Sequence, residues 1–259
     1  MKRKVFFLSF IIFMILYPFS QKIKYSFIFD TFSLNERGDK EEFLDSIYVF
    51  LGENIWVEKY ENFRLILNVY DRTLYFVDDA NKTFSGGNVD EFFKEMKAFY
   101  DKFLRGTSQN YKIEKEDLGF LGKITSKFLK ENGKYEEFEI DSGGKKIFLI
   151  RIDKRIGLNK LFKSDDFGKC VITFFNISSM VEKRFFTRRR YDFEKKLNEV
   201  LFEIYRVGFP VRIVEYKNDL PHFLTEVTRI EYAEKGRVAN IDLNYKRISF
   251  AQFEKNFFN

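Results

Sequence analysis

The sequence predicts a mainly β domain of the α+β type, an antiparallel sheet with amphipathic helices packed on it. Three observations predict this. Apolar residues alternate with period two through most of the chain, the mark of half-buried strands. Turn sequences such as Gly52-Glu53-Asn54, Glu131-Asn132-Gly133 and Ser142-Gly143-Gly144 recur at short intervals, as in a meander. Two segments, 89–104 and 191–205, switch to helical spacing. A sheet with an apolar face and helices with an apolar stripe need each other for burial.

The elements follow in order. From Gln21, a strand places Ile23, Tyr25, Phe27 and Phe29 on one side. Strands are expected next at 42–51, 55–60, 63–69 and 74–77, the last closed by Asp78-Asp79. Ser85-Gly86-Gly87-Asn88 reads as a turn. After it Val89, Phe92, Phe93, Met96, Phe99, Tyr100 and Phe103 recur at helical spacing, and Gly106 follows as a stop. A second β-rich stretch is expected at 124–129, 135–140, 146–152 and 170–175. The helix at 191–205 takes Asp192 as its cap and Leu197, Val200, Leu201 and Ile204 as its inner face, and Gly208 ends it. Strands at 211–216, 224–232 and 238–243 close the chain. No linker rich in Pro, Gly or Ser interrupts this order, so residues 21–259 are expected to form one domain.

Residues 1–20 stand apart. Lys2, Arg3 and Lys4 form a positive head, and Val5 to Leu16 is apolar apart from Ser9. Tyr17-Pro18-Phe19-Ser20 leads into a charged segment, which completes the secretory pattern. The apolar run is shorter than the ~20 residues that span a bilayer comfortably. Pro18 stands where a small residue is preferred before a cut after Ser20. The segment is therefore a signal peptide or an uncleaved N-terminal membrane anchor, and the protein is expected outside the cytoplasm, in the periplasm or cell envelope.

Charge and cysteine content narrow the classes. The formal charge is +6, and the three leader cations account for half of it. The remainder has an ordinary solvated surface, and no nucleic-acid partner is expected. The densest basic patch, Lys183-Arg184 with Arg188-Arg189-Arg190, reads as a solvated turn before a helix. The one cysteine, Cys170, excludes an internal disulfide, and its apolar neighbours Val171, Ile172 and Phe174 suggest a buried strand residue. With 35 Phe and 14 Tyr, the chain has the material to rely on its core instead.

Chemistry is sparse. His222 is the single histidine, which leaves no His-rich metal site and one candidate for a triad. Asp141-Ser142-Gly143-Gly144 has part of a serine-protease nucleophile motif, but Ile140 replaces its first glycine, so a turn is favoured. Gly119 to Thr125 lacks both the first glycine and the hydroxyl of a phosphate loop. The pairs Glu41-Glu42, Asp78-Asp79 and Asp165-Asp166 read as turn acids, because adjacent strand residues point to opposite faces. No metal, cofactor or catalytic residue is expected.

The stretches GFLGKITSKFLKENG, KKIFLIRIDKRIGL, GFPVRIVEY and TEVTRIEYAEKGRVANIDLNYKRIS carry a resemblance. Together they resemble exported proteins of the outer-membrane lipoprotein-carrier (LolA-like) superfamily. The resemblance runs mainly through the second half of the chain. It rests on Gly122, Gly157-Leu158, Gly208-Phe209-Pro210-Val211 and Tyr245-Lys246-Arg247-Ile248, without the proline that usually closes the family's last segment. It implies a curved half-barrel with two or three helices on its concave face, an acyl chain held between sheet and helices, and no catalysis. On that expectation Phe27, Phe29, Leu65 and Leu67 of the sheet and Phe92, Phe93, Met96, Phe99 and Phe103 of the first helix line an apolar cavity. The partner would be a lipid, an acylated protein or another apolar ligand. The competing expectation is a structural or sensory envelope interaction protein with a filled core; an enzyme is the third.

Overall fold

The computed structural model describes residues 23–95, 97–98, 122–163, 167–181, 188–231, 237–242 and 244–258. Among them a single open, curved sheet of twelve strands dominates. The first meander is β1 (Ile23–Leu34), β2 (Lys40–Gly52), β3 (Ile55–Lys59), β4 (Phe63–Asn68), β5 (Thr73–Asp78) and β6 (Thr83–Asn88). The second is β7 (Ile124–Asn132), β8 (Tyr135–Ser142), β9 (Lys145–Asp153), β10 (Phe209–Lys217) and β11 (Leu220–Glu231). The two meanders join where β1 pairs antiparallel with β11, in a register that sets Thr31 opposite Thr225. The last strand, β12 (Lys246–Arg247), pairs parallel with β6, so the sheet is antiparallel everywhere except at that edge.

Turn chemistry explains the tight hairpins. Ser142 and Lys145 face each other across Gly143-Gly144, both at positive φ, as a two-residue turn between twisted strands requires. Asn218 and Asp219 do the same between β10 and β11, at φ 56° and 63°. Asn and Asp tolerate that conformation best among residues with side chains.

Among the described residues five helices accompany the sheet: α1 (residues 89–95 and 97–98), α2 (Leu158–Leu161), α3 (Phe167–Val181), α4 (Arg188–Val207) and α5 (Phe250–Phe258). One face of the sheet and the helices share the main core. Trp56 of β3 meets Phe174 and Phe175 of α3, each ring 5.6 Å away, and Phe175 in turn meets Tyr205 of α4 at 5.7 Å. Helix α3 thus lies between sheet and α4. The opposite face of β3–β5 is also buried: Ile55, Val57, Ile66 and Val77 are covered by Val238, Ala239, Ile241 and Tyr245.

Several expectations change. Residues 170–175 are helical, inside α3, rather than a strand. The physical reason is burial: Cys170, Val171, Phe174 and Ile177 are all within 1% of full burial, and a helix covered on most sides has no polar stripe to reveal its period. Of the strand expected at 238–243, the described residues 238–242 form the end of a short 3-10 turn (Arg237–Ala239) and irregular chain lying on the sheet, not a strand. The Ser85-Gly86-Gly87-Asn88 turn is the end of β6. Asp192 lies inside α4, which begins four residues earlier, and so does not cap it. The C-terminal α5 was not anticipated. Met96, Phe99, Phe103, Asp165 and Asp166 lie outside the described residues.

Candidate functional site

A cleft of about 370 Å³ opens where three segments meet: the end of β6, the first turns of α1 and the chain from β12 into α5. Ser85, Gly86, Gly87 and Asn88 form one wall, Glu91, Phe92 and Glu95 a second, and Arg247, Ile248, Ser249 and Phe250 the third. Each wall has a local cause. A Cβ on Gly86 would sit 2.1 Å from the Leu74 carbonyl oxygen, so only glycine lets β6 lie flat on β5 there. Asn88 Oδ1 accepts hydrogen bonds from the Asp90 and Glu91 backbone N–H groups and caps α1. Ser249 Oγ accepts from the Gln252 N–H and caps α5. Two helix N-termini, each a partial positive charge, therefore open on one cleft.

Its base is apolar and its rim is charged. Phe92, Ile248 and Phe250 are nearly buried, with the Phe92 and Phe250 rings 5.1 Å apart edge to face. Arg247 stands on the rim and donates from Nη2 to the Gly86 carbonyl oxygen at 2.9 Å. Glu91 and Glu95, one turn apart on α1, line the facing wall. Asp90, beside them, is held by Arg72 at 2.7 Å and Lys169 at 3.6 Å. Burial raises the Asp90 pKa, but those two partners outweigh it and hold the carboxyl below the usual carboxylate range. Such a cleft can bind a ligand through backbone, apolar and charged groups.

The C-terminal segment is clasped on from the other face of the sheet. Arg64 of β4, 7% exposed, donates from Nε and Nη2 to the Asp79 carboxylate and from Nη1 to the carbonyl oxygens of Val238 and Asn240. The Tyr245 hydroxyl donates to the same carboxylate at 2.9 Å. Burial and that carboxylate raise the Tyr245 pKa above its ordinary value. The chain then rounds the β6 edge, and Phe253 packs on Phe76 at 5.6 Å inside the main core.

The sequence-nominated cavity residues fall into three groups. Phe27, Leu65 and Leu67 are 0–1% exposed, and the Phe27 ring packs tilted against Phe209 at 4.6 Å. Phe29 and Phe92 are also buried in the main core, whereas Phe93 is half-buried against it. Met96, Phe99 and Phe103 are not described. The structure therefore brings Phe27, Phe29, Leu65, Leu67 and Phe92 into one core, while Phe92 also lines the cleft. The other described motifs are structural: Glu41 and Glu42 lie exposed within β2 rather than in a turn, while 119–121, Asp165, Asp166, Lys183 and Arg184 lie outside the described residues. Asp78 caps the β5–β6 turn by accepting from the Asn81 N–H and Nδ2, and Ser142 Oγ accepts from the Gly122 N–H. His222 is exposed against Phe223. Among the described residues no three His, Cys, Asp or Glu side chains cluster as a metal site would require. Arg64 and Arg247 carried no signal in sequence, because they hold backbone carbonyls of Val238, Asn240 and Gly86 more than 150 residues away, and Asp79, only 15 residues from Arg64, read as a turn acid.

No known protein family matches the chain, and no curated protein matches it. Among solved structures it is similar to PNGF-II in two crystal forms, with TM-scores of 0.43 and 0.41 and 10% identity. The match covers 92% of this chain and 33% of that one, so the chain spans about a third of the length of those structures. A likeness at that level brings no activity to this chain.

Proposed function

We propose that this protein is an exported, non-enzymatic interaction protein of the cell envelope, with a filled core and a working surface. The observation that carries the reading is the burial of Phe27, Leu65 and Leu67, at 0%, 1% and 0% exposure. A side chain bordering a space wide enough for an acyl chain keeps surface that water can touch. These three keep at most 1%, and packing at that density leaves no room for a ligand beside them. Export rests on the cationic and apolar residues from Lys2 to Ser20. The carrier-like arrangement, with helices on the concave side of the sheet, is retained as the architecture but without its ligand space.

Equilibrium urea unfolding of Phe27→Ala and Leu67→Ala tests the reading. In a filled core these changes cost about 3–5 and 2–5 kcal/mol, through lost transfer energy and the cavity left behind. At positions lining a pre-existing space fewer contacts are lost. Losses below about 1 kcal/mol in both variants would overturn the proposal in favour of a carrier.

A further inference from the structure

We infer that the free stretch of the β6 edge, together with the cleft beside it, docks a short extended segment of another protein by strand addition. The inference rests on the reading of the chain as an interaction protein and names the surface that acts. Strand β12 pairs with only Thr83 and Phe84 of the six residues of β6 and then turns into α5. Ser85 to Asn88 pair with β5 on one side; on the opposite edge, among the described residues, no strand pairs with them, and all four line the cleft.

The direction of the edge groups follows from the bonds that β12 does make. The Lys246 N–H donates to the Lys82 carbonyl oxygen and the Ile248 N–H to that of Phe84, both at 2.9 Å. In an extended strand the N–H and C=O of one residue point to the same edge, and every second residue repeats the direction. Gly86 therefore presents its N–H and C=O, and Asn88 its N–H, toward the cleft, the Asn88 carbonyl belonging to the first turn of α1. The bond from Arg247 Nη2 to the Gly86 carbonyl agrees with that direction. Gly86 and Gly87 have no side chains, so a partner's backbone can approach this edge closely.

The rest of the cleft matches an extended peptide. Main-chain pairing gives such a site affinity, and pockets for alternate side chains give it selectivity. Here one apolar pocket is floored by Phe92, Ile248 and Phe250. It is flanked by a guanidinium on the β12 side and by two carboxylates on the α1 side. A volume of about 370 Å³ holds two or three residues, not a folded element. The occupant is thus a short segment with a central apolar residue, an acidic residue toward Arg247 and a basic residue toward Glu91 and Glu95.

The test uses the full chain and two fluorescein-labelled seven-residue peptides, Ser-Glu-Val-Tyr-Val-Lys-Ser and its charge-swapped isomer Ser-Lys-Val-Tyr-Val-Glu-Ser, read by fluorescence polarisation. Saturable binding of one isomer over the other is expected. Arg247→Glu and Glu91→Lys should each weaken it about tenfold, since reversal removes an attraction and adds a repulsion. Thermal melts of both variants report whether the fold survives; Glu91 is exposed on α1 and covers the case in which Arg247→Glu loosens the chain end. Peptides N-methylated at alternate residues should lose binding in one methylation register and keep it in the other. No saturation up to millimolar peptide, equal binding of both methylation registers, or affinity unchanged in both folded variants would overturn strand addition. None of these results bears on the filled core, which fails separately if Phe27→Ala and Leu67→Ala cost little.

Discussion

Replacing Arg64 by methionine should detach the C-terminal segment from the sheet. The guanidinium is buried and makes bonds to one carboxylate and two carbonyl oxygens. Hydrogen bonds to charged groups contribute about 1.5–3 kcal/mol each, and the two carbonyls lose theirs without a substitute. Asp79 keeps 30% of its side-chain surface in water, so its own loss is softened by solvation. The net cost is about 3–5 kcal/mol, in the range for breaking a buried ion pair from one side. For a domain of this size that lowers the melting temperature by about 10 °C. Hydrogen exchange localises the damage. The amides of Lys246 and Ile248 depend on acceptors at the β6 edge, so their exchange should quicken far more than that of Ile150 in the middle of β9. The exposed Lys24→Met serves as the control and should cost less than about 0.5 kcal/mol. An Arg64→Met protein within 1 kcal/mol of wild type, with unchanged exchange at Lys246 and Ile248, would refute the clasp.

Three further outcomes are expected. Ser178→Ala should raise stability by about 1–2 kcal/mol in urea unfolding, because the Ser178 hydroxyl is buried in α3 with no hydrogen-bond partner and alanine favours the helix; a loss would show a partner that only solvent supplies. Cys170→Ser should cost about 1–2 kcal/mol, as a small buried change does, and wild-type unfolding should be identical with and without reductant. The acid limb of stability should depend on Asp153 and Glu137. Burial pushes both carboxyls up, but Arg155 for the first, and Arg151 with Lys130 for the second, outweigh it and hold both below the ordinary carboxylate range. A depressed folded pKa gives stability that is present above the unfolded value, 3.8 for Asp153 and 4.5 for Glu137, and is lost as pH falls below it. Unfolding from pH 6 down to pH 2 should therefore show a shallower decline in Arg155→Gln and Arg151→Gln than in wild type; parallel curves would contradict it.

Much of the sheet was legible because its apolar residues recur at every second position or, in β3–β5, which are buried on both faces, form short runs bracketed by turn sequences. Tyr25, Phe27 and Phe29 recur at every second residue between Lys24, Ser26, Ile28 and Asp30, and period two follows. Helix α4 was legible for the matching reason, since Leu197, Ile204 and Tyr205 are buried while Lys195, Lys196 and Glu203 are exposed. The signal misleads where a helix has no wet side or a strand has no side chains. Helix α3 is enclosed by the sheet and α4, so its run of Val, Ile and Phe looks like a strand. The end of β6 carries Gly86 and Gly87, which have no polarity to alternate and imitate a turn. The segment at 238–241 is apolar because it covers a second sheet face, not because it belongs to the sheet. The cleft was invisible for another reason: its walls, residues 85–95 and 247–250, are remote in sequence and meet only because the chain rounds the β6 edge.

The filled core is the central claim, and titration of the purified wild-type protein with a fluorescent fatty acid tests it most directly. A core with no space beside Phe27, Leu65 and Leu67 should give only a weak, linear rise in fluorescence that unlabelled oleate does not displace. Saturable binding at micromolar probe, displaced by oleate and abolished in a folded Leu67→Ala protein, would contradict it and make the protein a carrier.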